Sequence, residues 1–126
     1  MPQTQVHFYQ EHEDDVPVWE WLTDLARRDR KAAVVAVSKI QALRLLGYEL
    51  RRPNADYLRD GIYELRFKRG RLNYRILYFF SGRNVVVVSH GIAKESEVPD
   101  VEINRAVERK QRFEANHDAH TYRRSK

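Results

Sequence analysis

Residues 61–90 read GIYELRFKRGRLNYRILYFFSGRNVVVVSH, and this stretch decides the fold. From Tyr63 to Lys68, apolar and charged side chains alternate, which is the period of a strand with one covered face. Residues 72–80 are almost entirely apolar, as in a central strand, and residues 85–88 are all valine. Short glycine-containing turns join these segments, so the sequence predicts three antiparallel neighbours in a meander.

The sequence before the meander predicts a strand and a helical hairpin. Residues 5–10 mix β-branched and aromatic side chains, which favours a short strand. Two helical patterns follow, separated by a break at residues 29–30, with Asp15 as the expected cap of the first helix and Gly47 as the end of the second. Residues 48–60 contain Pro53 and several turn-forming side chains, and are predicted to form a loop.

After the meander, Pro99 opens a last helix with an apolar stripe that the sheet should cover. The predicted order β-αα-βββ-α is an α+β fold, in which an N-terminal strand and an αα-hairpin pack on a curved antiparallel sheet. We expect a single domain over residues 1–116 and a flexible tail over residues 117–126.

Composition bounds the chemistry. The 126 residues include no cysteine, which excludes disulfides, thiolate catalysis and thiolate zinc sites. No apolar stretch approaches the roughly 20 residues that cross a bilayer, and the N-terminus shows no signal-peptide pattern, so we expect a cytoplasmic protein. Lysine and arginine total 23 against 18 acids, and all 23 follow residue 26. This charge favours a polyanionic partner such as nucleic acid. The alternative is that the chain is a soluble basic protein with no such partner.

The strongest cationic cluster lies in the meander. Alternation places Arg66 and Lys68 on one face of their strand, and Arg75 begins the next strand close by. With Glu64 as the only acid in the segment, Arg75 is expected to have no acidic partner and no structural role. The functional interpretation is anion binding, with nearby tyrosines available to stack on bases. The alternative is a solvated sheet edge protected by positive charge.

Motifs in four successive segments then show a family resemblance. Residues 60–66 (DGIYELR), 74–79 (YRILYF), 90–94 (HGIAK) and the helix that begins at Pro99, with Glu102-Ile103 and Ala106, follow one another in order. This series resembles the RelE/HigB superfamily of toxins, and in particular its phage-derived, HigB-like branch. The resemblance runs from about Asp60 to Ala106 and implies a RelE-like fold.

The resemblance also implies site residues. Arg66 and Lys68 would line the RNA face, Arg75 would contact the scissile phosphate, and Lys94 would match the first lysine after His-Gly. With His90 as a second candidate beside Lys68 for proton transfer, these five residues form the expected catalytic set. Further RNA contacts are expected from a surrounding group: Arg69, Arg71, Tyr74, Arg83, Arg105, Arg109 and Arg112.

Such toxins are ribosome-dependent mRNA endonucleases (mRNA interferases) of type II toxin–antitoxin systems. The implied partners are the ribosome with its mRNA and a cognate antitoxin, often a helix-turn-helix protein, with no membrane; no metal or cofactor is implied. Glu95 and Glu97 stand where the family pattern has bases, which leaves a degenerate toxin or a non-catalytic nucleic-acid-binding module as alternatives. A gyrase-targeting toxin on the same fold is a further alternative.

Overall fold

A computed structural model describes residues 4–94 and 97–123, which form an α+β fold with a five-stranded mixed sheet and three α-helices. The strands are β1 (Gln5–Phe8), β2 (Ala55–Arg59), β3 (Ile62–Arg69), β4 (Leu72–Ser81) and β5 (Val85–Lys94). The helices are α1 (Pro17–Arg28), α2 (Arg30–Leu46) and α3 (Asp100–Ala115), and a 3₁₀ turn at Gly47–Glu49 ends the hairpin. No helix in the described ranges is long and apolar enough to cross a membrane.

The sheet order is β1-β5-β4-β3-β2. The predicted meander is confirmed: β3, β4 and β5 are antiparallel neighbours joined by tight turns. The α1–α2 hairpin intervenes between β1 and the rest, and β1 joins the sheet parallel to β5. The prediction of a loop over residues 48–60 is wrong for its second half, because Ala55–Arg59 forms edge strand β2 against β3.

The α1–α2 hairpin covers one face of the sheet. Leu22 and Leu25 of α1 and Ala36 and Ile40 of α2 are buried in this larger of two apolar clusters. Burial of such side chains is the main driving force for docking the hairpin, at roughly 25 cal/mol per Å² of apolar surface. At Gly91 of β5, the ring of Trp21 packs where a Cβ atom would lie, so only glycine fits this contact.

The opposite face of the sheet is covered by α3. The predicted apolar stripe is confirmed, since Ile103, Ala106 and Phe113 are buried against the sheet. Their partners in the second apolar cluster include Leu77 and Phe79 of β4. The sheet is therefore buried on both faces along its central strands, as the apolar sequence of β4 indicates.

The helix ends differ in part from expectation. Pro17 opens α1 as its first residue, but Val16 occupies the N-cap and makes no side-chain cap bond. Asp15 is not the cap, because its backbone closes a turn with Glu11 and His12 instead. Asp29 caps α2 through a 3.2 Å bond from the Ala32 amide to its carboxylate.

The segment after α3 packs back onto the start of the chain. The amide of Tyr122 donates to the Phe8 carbonyl at 2.9 Å, and the ring of His120 stacks on Tyr9. Thr121 is buried. Part of the expected tail therefore contacts the start of the chain, and residues 124–126 lie outside the described residues.

Candidate nucleic-acid interface

The β3–β4 hairpin positions the cationic side chains. Its two-residue turn sets Arg69 opposite Leu72, and this register sets Arg66 opposite Arg75 and Lys68 opposite Asn73. The alternation of side chains then places Arg66, Lys68 and Arg75 on the face that α3 covers farther along the sheet. The three residues are thus brought together, and we call them the cationic face.

Arg75 is not free on this face. Its Nη1 donates to Glu64 Oε1 at 2.7 Å and to Oε2 at 2.9 Å, and the two side chains are 13% and 3% exposed. The expectation that Arg75 lacks an acidic partner is therefore wrong: Glu64 lies one diagonal step away across the two strands. Glu64 orients the guanidinium, a role that composition alone does not reveal.

Arg66 and Lys68 are more accessible. The Arg66 Nε lies 3.7 Å from Glu64 Oε2, too far for a hydrogen bond, and about a third of the side chain is exposed. The Lys68 side chain is exposed and has no ion-pair or hydrogen-bond partner among residues 4–94 and 97–123. These two side chains are the part of the cationic face that a phosphate can reach.

Two clefts flank Arg66. One, of about 420 Å³, lies between β2, β3 and the start of α3, and we call it the mixed cleft. Its lining combines arginines with four acids: Asp56, Glu64, Glu97 and Asp100. The other, of about 430 Å³, lies between α2 and the end of β3, and we call it the edge groove. Arg66 lines both.

His90 lies away from these clefts, beneath α3. Arg109 Nη1 donates to its Nδ1 at 3.0 Å, so the neutral ring carries its proton on Nε2, which donates to Glu102 Oε1 at 2.9 Å. Burial, with the nearby charge of Arg109, lowers the pKa of His90 to about 4. Both nitrogens of this buried neutral imidazole are engaged, although the strand register places His90 opposite Leu77, one diagonal step from Arg75 on the same face of the sheet.

The three α3 arginines among the expected RNA contacts all make ion pairs. Arg109 is largely buried and binds Glu11 at 3.1 Å, and Arg112 also binds Glu11. Arg105 pairs with Glu102 at 2.8 Å. The two bonds to Glu11 fasten α3 to the segment after β1, and the Arg105 bond lies within the helix, so α3 carries fewer free charges than its sequence suggests.

The remaining predicted contacts are spread over the molecule. Arg69 binds the capping residue Asp29 at 2.7 Å, a bond that lowers the pKa of that carboxyl. Tyr74 is 4% exposed, stacks on Phe67 in the hairpin-covered core, and has no face open to a base. Arg71 is exposed in the turn between β3 and β4. Arg83 follows the opposite end of β4, about 30 Å from Arg71 at the rise per residue of a strand.

Lys94 and the acids that follow it complete the predicted set. The Lys94 backbone ends β5 opposite Asn73, beside the cationic face, and its side chain lies outside what the structure describes. Glu95 lies outside the described residues, and Glu97 is exposed at the mixed cleft. Within the described ranges, no group of three or more His, Asp or Glu side chains could hold a metal ion.

The model of the family described as "Phage derived protein Gp49-like (DUF891)" matches residues 20–111. The chain belongs to this family. The match runs from within α1 into α3 and includes the whole β3–β4 hairpin with its cationic face. Gp49-like proteins are toxin-like, which agrees in kind with the resemblance found in the sequence motifs. A search of curated proteins finds no match.

Proposed function

We propose that this Gp49-like protein is the toxin of a type II toxin–antitoxin system, with a RelE-like fold, and that it cleaves mRNA on the ribosome. Family membership supports the toxin role, and the succession of a strand, a helical hairpin, an antiparallel meander and a last helix, to which the structure adds edge strand β2, supports the proposed fold.

The observation that carries the proposal is the arrangement of Arg66, Lys68 and Arg75 around Glu64. Cleavage by attack of a 2′-hydroxyl builds negative charge on the phosphate, and fixed cations stabilise that charge without reorganising. Arg66 and Lys68 are open to a substrate, while Glu64 holds Arg75 in one orientation behind them. The 2′-hydroxyl releases its proton to solvent as its oxygen bonds to phosphorus, the bond from phosphorus to the 5′-oxygen breaks, and the 5′-oxygen takes up a proton from the Lys68 ammonium, which leaves a 2′,3′-cyclic phosphate and a 5′-hydroxyl.

Proton transfer in this scheme falls to Lys68, with Arg66 and Arg75 as electrostatic catalysts. His90, the other candidate, is engaged by Arg109 and Glu102 beneath α3. A single lysine provides only weak general acid–base catalysis. The reaction therefore depends on holding the RNA so that the 2′-oxygen, the phosphorus and the 5′-oxygen lie in a line. This is the reason to propose the ribosome as the partner that positions the mRNA.

The proposed second partner is a cognate antitoxin, and the N-terminal acidic segment is its proposed contact. Glu11 forms ion pairs with Arg109 and Arg112. Glu13 and Asp14, in contrast, are exposed near the start of α1. A basic antitoxin surface would associate rapidly with these acids through charge complementarity. Contact here would block entry to the ribosome by bulk and leave the cationic face uncovered.

The experiment is to induce the protein in cells and to map mRNA 5′ ends, and then to repeat the mapping with purified protein, with and without ribosomes. We expect growth arrest and cleavage only with ribosomes. Arg66→Ala and Lys68→Ala should each abolish both effects, and Arg27→Ala, at an exposed arginine of α1 that lines neither cleft, is the matched control.

Each other outcome contradicts a defined part of the proposal. Rapid cleavage of naked RNA would refute the dependence on the ribosome. Growth arrest with intact mRNA but trapped DNA–gyrase complexes would favour the gyrase-targeting alternative. Absence of both growth arrest and cleavage from a folded protein would favour a non-catalytic binding module.

A further inference from the structure

The edge groove exists because β2 is shorter than β3. The pairing of the two strands runs to Ala55 opposite Leu65 and ends with the Arg66 amide donating to the Asn54 carbonyl at 2.8 Å. Beyond this bond, β2 no longer covers the edge of β3. Helix α2 and the Pro53–Asn54 segment stand back from that open edge and enclose the groove of about 430 Å³.

The lining of the groove is cationic. Lys39 of α2 and Arg66 and Lys68 of β3 contribute three positive side chains, Asn54 and Asn73 contribute amides, and no acid among residues 4–94 and 97–123 lines it. The mixed cleft on the other side of Arg66 has four acids in its lining. Like charges that share a cleft repel one another and concentrate anions from solution. The groove is therefore suited to an anionic ligand, and the neighbouring cleft is less so.

Lys39 is held in position for such a ligand. Its Nζ donates to Asn54 Oδ1 at 2.6 Å, and Asn54 is in turn fixed by the backbone bond to Arg66. An ammonium group has three donors, so this bond to a neutral amide leaves its charge and two donors for another acceptor. Neither Lys39 nor Lys68 forms an ion pair within the part of the chain that the structure describes.

We propose that the edge groove binds backbone phosphates of single-stranded RNA beside the cleavage site, with Lys39 as a phosphate contact. This inference rests on the proposed function, because it is continuity with the cationic face that selects RNA as the anion. Arg66 lines the groove and also belongs to the cationic face, so a strand lying across Arg66 has its next phosphates at Lys68 and Lys39. Phe67 lines the same groove and offers an apolar surface to a base.

The test is binding of a fluorescently labelled 2′-O-methyl RNA oligonucleotide, which attack by a 2′-hydroxyl cannot cleave. We expect Lys39→Gln to weaken binding several-fold and to lower the slope of log affinity against log salt by about 0.7, the value for one phosphate contact on a single strand. Lys31→Gln is the matched control, because it removes the same charge from an exposed position of α2 outside the groove. It should bind with the wild-type slope.

Two further variants keep the result independent of folding. Lys39→Arg should restore most of the affinity, and Lys68→Gln, which changes a side chain with no partner in the described structure, should reproduce the loss. Wild-type affinity and slope in both Lys39→Gln and Lys68→Gln would overturn the inference. Normal ribosome-dependent cleavage by the wild-type protein, together with that binding result, leaves the proposed function standing, whereas groove-dependent binding without any cleavage by the wild-type protein would refute the function alone.

Discussion

Nη1 of Arg75 donates to both carboxylate oxygens of Glu64, at 2.7 and 2.9 Å, in the interior of the β3–β4 hairpin. Two charges buried this deeply stabilise the fold only as a pair, because each needs the other to offset its lost hydration. The arginine most suited by sequence to contact a scissile phosphate is therefore also a structural residue, and a simple truncation tests both roles at once.

We predict that Arg75→Ala destabilises the protein by about 3–5 kcal/mol, because it leaves the Glu64 carboxylate buried without a partner. For a domain of this size, the melting temperature should fall by about 10 °C or more. Thermal unfolding monitored by circular dichroism gives the measurement. A melting temperature within about three degrees of wild type would show that Glu64 does not depend on Arg75.

The double variant Glu64→Gln with Arg75→Met separates stability from activity. Removing both charges together restores a neutral interior, so much of the lost stability should return. If Arg75 also contacts the phosphate, this stabilised variant stays inactive in the cleavage assay. Recovery of cleavage together with stability would assign Arg75 a structural role only.

The sequence contains enough information to predict the pairing of Glu64 with Arg75. The two-residue turn at Gly70–Arg71 sets the register of the hairpin, and that register puts Arg75 opposite Arg66, one diagonal step from Glu64. Counting across the turn therefore gives the ion pair. The long helices and strands are predictable for a similar reason, since their periodicity extends over many residues.

Other features depend on tertiary contacts that local pattern does not specify. Strand β2 is five residues long, includes Asp56, follows Pro53 and pairs on one side only, so its signal resembles that of a loop. Arg109 and Glu11 are 98 positions apart in the chain, and helical periodicity shows only that Arg109 lies off the apolar stripe. The alternation of side chains along β4 places Tyr74 and Arg75 on opposite faces of the sheet, but only the packing of the α1–α2 hairpin shows that Tyr74 is buried.

Tyr74 provides a second test, because a core role and a base-stacking role predict opposite results. Its ring stacks on Phe67 at 5.0 Å and meets Trp21 edge-on at 6.2 Å. We predict that Tyr74→Ala costs about 3–5 kcal/mol in urea unfolding, as for other large buried aromatics. Tyr74→Phe keeps the ring and should match wild type in RNA affinity. An RNA-binding defect in a fully stable Tyr74→Ala protein would contradict the core assignment.

A third prediction distinguishes two acids of the N-terminal segment. Glu11→Gln removes the charge that faces Arg109 and Arg112, and should destabilise the protein by about 2 kcal/mol because Arg109 is largely buried. Glu13→Gln is the control at an exposed position and should change stability by less than about 0.5 kcal/mol. Chemical denaturation of both variants provides the comparison, and equal stabilities would show that Glu11 does not anchor α3.

The same segment tests the proposed antitoxin contact. Charge reversal at Glu13, Asp14 and Asp15 should weaken antitoxin binding in a titration while sparing growth inhibition, because these residues line neither of the clefts beside Arg66. Glu11 is left unchanged so that the anchor of α3 is retained. Unchanged antitoxin affinity in a folded triple variant would place the contact elsewhere.

The last prediction concerns pH and the buried network at His90. The pKa of a histidine is ordinarily 6.5. In the folded protein, burial and the charge of Arg109 disfavour the charged form of His90 and lower its pKa to about 4. Below pH 6.5 the unfolded chain therefore binds a proton that the folded chain excludes, and stability falls as the pH falls toward 4. Between pH 7 and pH 5 the loss of folding stability assigned to His90 is about 2 kcal/mol.

His90→Gln keeps a donor for Glu102 but does not titrate, so it should lose correspondingly less stability over this interval in urea unfolding. Because both proteins share every other titrating group, the difference between their two losses isolates His90, and identical losses would show that the imidazole is already protonated in the folded network at pH 5.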